Sequence, residues 1–513
     1  MSEKLFKSTA VVSVMTFLSR ILGFLRDIVI ARMFGAGLGA DVFFVAFKIP
    51  NFLRRLFAEG AFSQAFIPVL AEFRERGDKP LRDLIADTSG TLMAILMLIT
   101  AIGMLAAPLL IMVFAPGFII DPYKLSLAGD LLTITFPYIL FISLTALAGS
   151  ILNSFGKFAV PAFTPVFLNL SLIGTAIWLS PTMDQPVTAL AWGVFIGGVV
   201  QLLFQIPFLL RLNKLPMPRW GWRREGVQKI IKLMIPAMFG VSVAQINLLL
   251  DTLLASFLVT GSISWLYYSD RLVEFPLGVL GIALSTVILP SLSKKHASQS
   301  KQAFSDTIDW ALRWVLLIGT PASIGLIWLA QPLLLTLFQY GEFSASDAHK
   351  ASLSLMAYGS GLLPFIFIKV LAPGYFARQD TKTPVKIGVI AMITNMVLNI
   401  ILMIYLAHVG LALATALSAA LNAALLFIGL RRRDVYSPNA GWGKFTLKLL
   451  LANASLLAFL LLLTPAAQQW ISWDAWQRSG NLFTLIAGSA GVYFIMLALL
   501  GINIKALIRP TSR

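Results

Sequence analysis

There is no cysteine among these 513 residues, and there are only three histidines, His296, His349 and His408. A disulfide frame, a thiolate metal site and thiol catalysis are therefore excluded. Histidines scattered near the ends of apolar runs do not make a metal centre or a catalytic triad. Charge is scarce as well: 12% of residues are charged against 58% hydrophobic, and the mean hydropathy is +0.84. That balance excludes a set of soluble domains and points to a polytopic membrane protein. The formal net charge of +17 could suggest nucleic acid, but the basic residues come in short clusters between apolar runs and form no continuous face. Anionic membrane lipid and a positive-inside topology account for them better. No Walker loop, zinc motif or strand-nucleophile-helix pattern is present, so neither an enzyme activity nor a cofactor is expected. Lys4 and Lys7 ahead of an apolar stretch imitate a signal peptide. Arg20 interrupts that stretch and no small-residue cleavage site follows, so an uncleaved first span is expected.

Windows of about 20 apolar residues predict spans at 8–34, 41–70 (broken), 88–114, 128–153, 160–180, 188–210, 228–258, 264–291, 308–338, 351–376, 384–406, 410–430, 445–464 and 481–503. Most of the 40 Lys and Arg residues fall in alternate connections, such as Arg74 to Arg82 and Arg211 to Lys232. This places both termini on the cytoplasmic side. The segment Pro108-Leu-Leu-Ile-Met-Val-Phe is echoed 224 residues later by Pro332-Leu-Leu-Leu-Thr-Leu-Phe. Because an even number of spans separates the copies, two parallel halves are expected, as in alternating-access transporters. The fold expected is all-α and polytopic, with about 14 transmembrane helices in two pseudo-twofold lobes of roughly six helices each. The lobes are 1–212 and 213–432, with an appended helix pair in 433–513.

Ionised groups are expensive at membrane depth, at about 2.5–3.5 kcal/mol each on insertion scales, yet the first span carries Arg20, Arg26, Asp27 and Arg32. At about 100° per residue, Ser19, Arg20, Gly23, Arg26 and Asp27 share one arc while large apolar residues cover the rest. That helix should have a lipid side and a wet, cationic side. The second span contains Asp41, Lys48, Pro50, Asn51, Arg54, Arg55 and Glu59, a density that no lipid-facing helix sustains, and Pro50 should bend it. At the equivalent place in the second half, Ser264, Tyr267, Arg271 and Glu274 recur at helical spacing before Pro276, and Lys369 in the tenth span adds a further cation. Convergent guanidinium groups, whose planar forks match phosphate oxygens in pairs, point to an anionic ligand such as a diphosphate. A helix-stapling role for any one of these groups stays open. Arg313 is read as a snorkelling interface residue, Arg431 to Arg433 as topology determinants, and Trp470, Trp473 and Trp476 as an interfacial aromatic belt.

Three stretches are similar to a known family: Ser19-Arg-Ile-Leu-Gly-Phe-Leu-Arg-Asp27, the run from Asp41 to Phe66, and Tyr267-Tyr-Ser-Asp-Arg-Leu-Val-Glu-Phe-Pro276. They resemble the MurJ (MviN) lipid II flippases of the multidrug/oligosaccharidyl-lipid/polysaccharide exporter superfamily. The likeness extends over essentially the whole chain. It implies two lobes around a central cationic cavity, with a groove for the lipid tail on the last two helices. The implied cargo is undecaprenyl-diphosphate-linked disaccharide pentapeptide. Carried over by motif, Arg20, Arg26 and Arg271 hold the diphosphate and Asp27 orients the arginines. Asp41, Lys48, Arg54 and Glu59 occupy other sensitive positions, with Ser19, Asn51, Ser264 and Glu274 supporting them and Lys369 as an addition. The implied setting is the bacterial inner membrane, with the cell-wall synthesis machinery as further partners and a monomer as the working unit. Drive by the membrane potential is expected, and the choice of coupling ion stays open. Two other readings also stay open here, a flippase for another polyprenyl-diphosphate oligosaccharide and a drug antiporter of the same superfamily.

Overall fold

The computed structural model describes residues 3–55 and 61–502. Glu59 lies outside the described residues. Among them every regular element is helical. The chain divides into two compact units, Met1–Ser264 and Trp265–Arg513.

The first unit begins with α1 (Glu3–Phe34) and α2 (Leu38–Leu53), followed by α3 (Ser63–Glu75). Pro50 lies near the end of α2, and the backbone widens into π-type turns at Arg54 and Arg55 just beyond it. A proline cannot donate to the carbonyl one turn back, and the extra residue of a π turn relieves the clash of its ring. The bend expected at Pro50 coincides with this change of helical type. Then come α4 (Asp78–Leu105), α5 (Ala107–Phe114), α6 (Pro122–Thr135), α7 (Tyr138–Ser154), α8 (Ala159–Phe163), α9 (Pro165–Gly174), α10 (Thr188–Arg211) and α11 (Glu225–Ala255). The unit extends to Ser264, beyond the 212/213 division read from the sequence, because α11 packs on α3 and α4.

The second unit takes most of α12 (Ser262–Pro276) and continues through α13 (Ile282–Ala297), α14 (Lys301–Trp328), α15 (Ala330–Leu337), α16 (Ala345–Phe376) and α17 (Lys382–Arg432). It ends with α18 (Trp442–Leu463), α19 (Ala467–Ser472) and α20 (Ala475–Leu499). The helix α17 holds two of the expected spans, divided at Ala407, where φ is 48° and ψ is −129°.

The internal repeat survives in the backbone. Each unit contains a 28-residue helix followed, after one irregular residue, by an 8-residue helix: α4 with α5, and α14 with α15. The two irregular residues match closely, Ala106 at φ −90°, ψ 8° and Leu329 at φ −91°, ψ 14°. The echoed Pro108 and Pro332 stand just inside the short helices, where a missing N–H costs nothing. A π-type segment, Leu277–Gly281, also follows Pro276 of α12, as one follows Pro50 of α2.

Among the described residues, nine helical segments are long and apolar enough to cross a bilayer, the α17 pair counting as one. This is a multi-pass membrane protein. α2 and α12 are absent from that set, being 16 and 15 residues long. In lipid no hydrophobic force drives helices together, so close approach at small residues does the work. Gly361 of α16 is an example, since a Cβ there would lie 2.8 Å from the Ala416 Cβ of α17.

Polar anchors hold α18 and α20 to the rest of the second unit. Buried Asp309 of α14 accepts hydrogen bonds from the Tyr436 hydroxyl (2.9 Å), the Asn439 N–H (3.1 Å) and the Trp442 indole (2.6 Å) on Oδ1. Its other oxygen accepts from Arg313 at 2.9 Å. Arg313 is therefore not a snorkelling residue: its guanidinium stacks at 5.0 Å on Trp442. At the other end of the pair, buried Arg478 donates to the carbonyls of Leu335 (3.0 Å), Gln339 (3.2 Å) and Ile471 (3.0 Å). It thereby answers the unpaired C-terminal carbonyls of α15 and α19. Trp470 is fully buried beside this site whereas Trp476 is 87% exposed, so the expected aromatic belt is in part a buried wedge.

On the first unit, residues 213–224 lie along α4. Arg219 donates its N–H to the Ala86 carbonyl (3.0 Å) and its guanidinium to Asp87 (2.6 Å) and Asp83 (3.1 Å). Lys214 pairs with Asp78 and Lys229 of α11 with Glu72 of α3. The basic cluster that sets topology is thus also a clamp. A Cβ at Gly90 would sit 2.3 Å from the Arg219 backbone, so Gly90→Val should displace this strap. Faster tryptic cleavage in the strap than in the parent is the expected result.

In the connection between α16 and α17, the Thr383 hydroxyl, then its N–H, and the Arg433 guanidinium hold the Asp380 carboxyl down at about 2. With the folded value below the unfolded value of about 3.9, this contribution is complete above roughly pH 4 and is lost as pH falls through 2. Asp380→Asn should therefore loosen the turn already at neutral pH, read as faster tryptic cleavage after Arg378.

Candidate functional site

The charged face of α1 is only partly open. Arg20 is exposed and forms no ion pair with a described residue. One turn and a half later, Arg26 is 6% exposed and Asp27 only 1%. The Arg26 guanidinium donates from Nε (3.0 Å) and Nη2 (2.7 Å) to Asp27 Oδ1, and from Nη1 to Asn169 Oδ1 of α9 at 3.0 Å. The Asn169 amide in turn donates to the Ser19 carbonyl at 3.1 Å. Ser19 thus supports the site through its backbone, and Asp27 holds Arg26 as the sequence implies. An ion pair this buried is supported by the further bond of the guanidinium to the neutral Asn169 side chain.

Arg54 donates from Nε to Asn51 Oδ1 at 2.8 Å. Lys48 is half-buried on α2. Arg26 and Arg54 line one cavity of about 380 Å³ inside the first unit. Tyr138, Asn153, Asn169, Gln201 and Gln205 line it with them, and among the described residues no carboxylate does. The sequence reading missed this amide-rich wall. Its one visible signal was Gln201 and Gln205, four residues apart in an apolar span and hence on one helix face.

Asp41 is not among these cations. It is 2% exposed, accepts the backbone N–H groups of Gly261 (2.6 Å) and Ser264 (2.9 Å), and takes the Ser264 hydroxyl at 2.6 Å. Asp41 and Ser264 therefore meet each other, and the carboxylate caps the positive end of α12.

In the second unit, the Arg271 guanidinium donates from Nη1 to Glu274 at 2.7 Å and from Nη2 to the Tyr267 hydroxyl at 3.2 Å. Its side chain is about one-third exposed, at 35%. Lys369 is exposed on α16, and no ion pair joins it to a described residue. The site residues thus form two sets: Arg20, Arg26, Lys48 and Arg54 in one unit, Arg271 and Lys369 in the other.

A family model described as "Lipid II flippase MurJ" matches residues 30–477. The chain is also 53% identical over 519 residues to the probable lipid II flippase MurJ of Vibrio cholerae serotype O1, covering 100% of this chain and 99% of the relative. The chain belongs to the MurJ family of lipid II flippases. To the lipid II flippase MurJ of Burkholderia cenocepacia it is 42% identical, covering 97% and 98% of the two chains. A solved structure titled lipid II flippase MurJ, inward closed conformation, superposes with a TM-score of 0.81 at 27% identity, covering 97% of this chain and 99% of that one. A MATE family multidrug transporter in an inward-facing conformation gives a TM-score of 0.67 at 13% identity over 83% of this chain and 98% of its own. That likeness shows a shared fold alone. The coverage by MurJ relatives takes in the charged helices α1, α2 and α12.

Proposed function

We propose that this protein moves lipid II from the inner to the outer leaflet of the bacterial cytoplasmic membrane, by alternating access and without making or breaking a covalent bond. The observation that carries the reading is a cation on the corresponding proline-marked segment of each half of a repeated fold, Lys48 ahead of Pro50 on α2 and Arg271 ahead of Pro276 on α12, in a full-length member of this family. In the proposed cycle guanidinium groups engage the lipid-linked diphosphate while its polyprenyl tail stays in hydrocarbon. Guanidinium forks suit paired phosphate oxygens. The lobes are taken as 1–212 and 213–432, with 433–513 guiding the tail. A drug antiporter is disfavoured because two guanidinium groups, Arg26 and Arg54, line the cavity and repel a cation.

The membrane potential supplies direction. Each elementary charge moved across 100 mV is worth about 2.3 kcal/mol, so an anionic headgroup leaves a negative interior downhill and the emptied cationic site is drawn back. Collapsing the potential in vesicles holding the purified monomer should slow flipping severalfold; an unchanged rate would remove this drive. Both termini are placed on the cytoplasmic side. Since the chain has no cysteine, Asp434→Cys should react with an impermeant thiol reagent only in opened cells, and Gln468→Cys in intact ones. The reverse pattern would invert the topology.

A further inference from the structure

The cavity beside Arg26 has a wall that a diphosphate does not use. Gln201 and Gln205 of α10 are 2% and 1% exposed. The Gln205 amide nitrogen donates to Thr164 Oγ1 at 2.9 Å. The Thr164 hydroxyl spends its own proton on the Val160 carbonyl at 2.8 Å, so it can only accept from Gln205. This fixes the amide orientation and leaves Gln205 Oε1 as the free end, and that oxygen has no hydrogen-bond partner. Gln201 is held the same way, its nitrogen on the Thr164 carbonyl (3.3 Å) and its oxygen facing the Tyr138 hydroxyl (3.4 Å). Asn153, half-buried on the same cavity, places a second primary amide there.

A buried amide oxygen left without a donor is costly and calls for a ligand or water that supplies one. Among the described residues the lining is neutral apart from Arg26 and Arg54, and amides make up much of its polar surface. Hydroxyl and amide groups on an uncharged ring are its chemical complement. The volume of about 380 Å³ lies near the low end of the roughly 300–1,000 Å³ typical of small-ligand pockets. It is large enough for one sugar ring.

We infer that this wall is a subsite for the sugar ring joined directly to the diphosphate: Gln205 Oε1 accepts a ring hydroxyl or acetamido N–H while Arg26 and Arg54 hold the adjoining phosphates. The inference rests on the flippase reading above and adds to it a means of telling a sugar-bearing diphosphate lipid from a bare one. A site built around a hydrogen bond rejects an analogue lacking the partner, because its own polar group is then left unpaired.

The test compares binding of lipid II and of sugar-free undecaprenyl diphosphate to the intact protein in nanodiscs. The parent should bind lipid II about tenfold more tightly than the bare diphosphate. Gln205→Met, which keeps the volume and removes the acceptor, should erase that preference while leaving undecaprenyl diphosphate binding unchanged. Asn153→Leu, at a half-buried position, gives the same reading should Gln205→Met misfold. Arg26→Lys should weaken both lipids alike. Equal affinity of the parent for the two lipids, a Gln205→Met protein that still prefers lipid II, or one that loses both in proportion would each overturn the subsite while leaving the diphosphate reading intact. Failure of the parent to bind either lipid would overturn both.

Discussion

Arg26→Ala is expected to reduce lipid II flipping in reconstituted vesicles by roughly a hundredfold or more, the worth of two charge-assisted hydrogen bonds to a diphosphate. The same substitution should lower the melting temperature by several degrees. Arg26 lies 2.7 Å from Asp27, which is only 1% exposed, and removing one partner of a buried pair costs about 3–5 kcal/mol. Loss of transport in the single variant would therefore mix two causes. The double variant Arg26→Ala/Asp27→Asn separates them: the neutral amide needs no counterion, so most of the melting temperature should return while flipping stays absent. A double variant that transports normally would exclude Arg26 from the phosphate clamp. One that stays as unstable as Arg26→Ala would show that Asp27 is not the group destabilised.

Asp309→Ala should be the most disruptive change outside the site, costing about 3–5 kcal/mol. It removes the acceptor of Tyr436, Asn439 and Trp442 and leaves the Arg313 guanidinium without the carboxylate 2.9 Å away. The segment leading into α18 would then be held to α14 chiefly by Ser305 on Ser437 and Asp306 on Asn439. Trypsin cleavage after Arg431 to Arg433, together with a drop in melting temperature, checks this. Asp309→Asn keeps a neutral acceptor for the same three donors and should show roughly half the effect. Equal cleavage of Asp309→Ala and the parent would mean that the Asp309 cluster does not fasten the helix pair.

Much of the architecture was legible because it is written locally. Apolar windows located the helices, and prolines at 50 and 276 marked where α2 and α12 break into wider turns. The echo of Pro108 in Pro332 reappears as the same 28-residue and 8-residue helix pair with nearly the same dihedral angles between. The pairing of Arg26 with Asp27 was legible for the same reason, since the two are adjacent. Arg313 shows where that logic stops. A lone cation near a helix end looks like a snorkelling side chain until Asp309 and Trp442 are seen beneath it. Trp470 likewise reads as interfacial from spacing, and only packing buries it.

Sequence alone thus determined the helical class, the membrane setting, the repeat and the helices that carry the cations, because hydropathy and charge along a helix are one-dimensional properties. Tertiary structure decided what each polar group touches. Asp41 was drawn from the set of charged candidates to cap a helix 220 residues away, Asn169 was brought 143 residues to Arg26, and two glutamines in an apolar span became the wall of a cavity. Such partnerships depend on which helix faces meet, and that is fixed by packing across hundreds of residues.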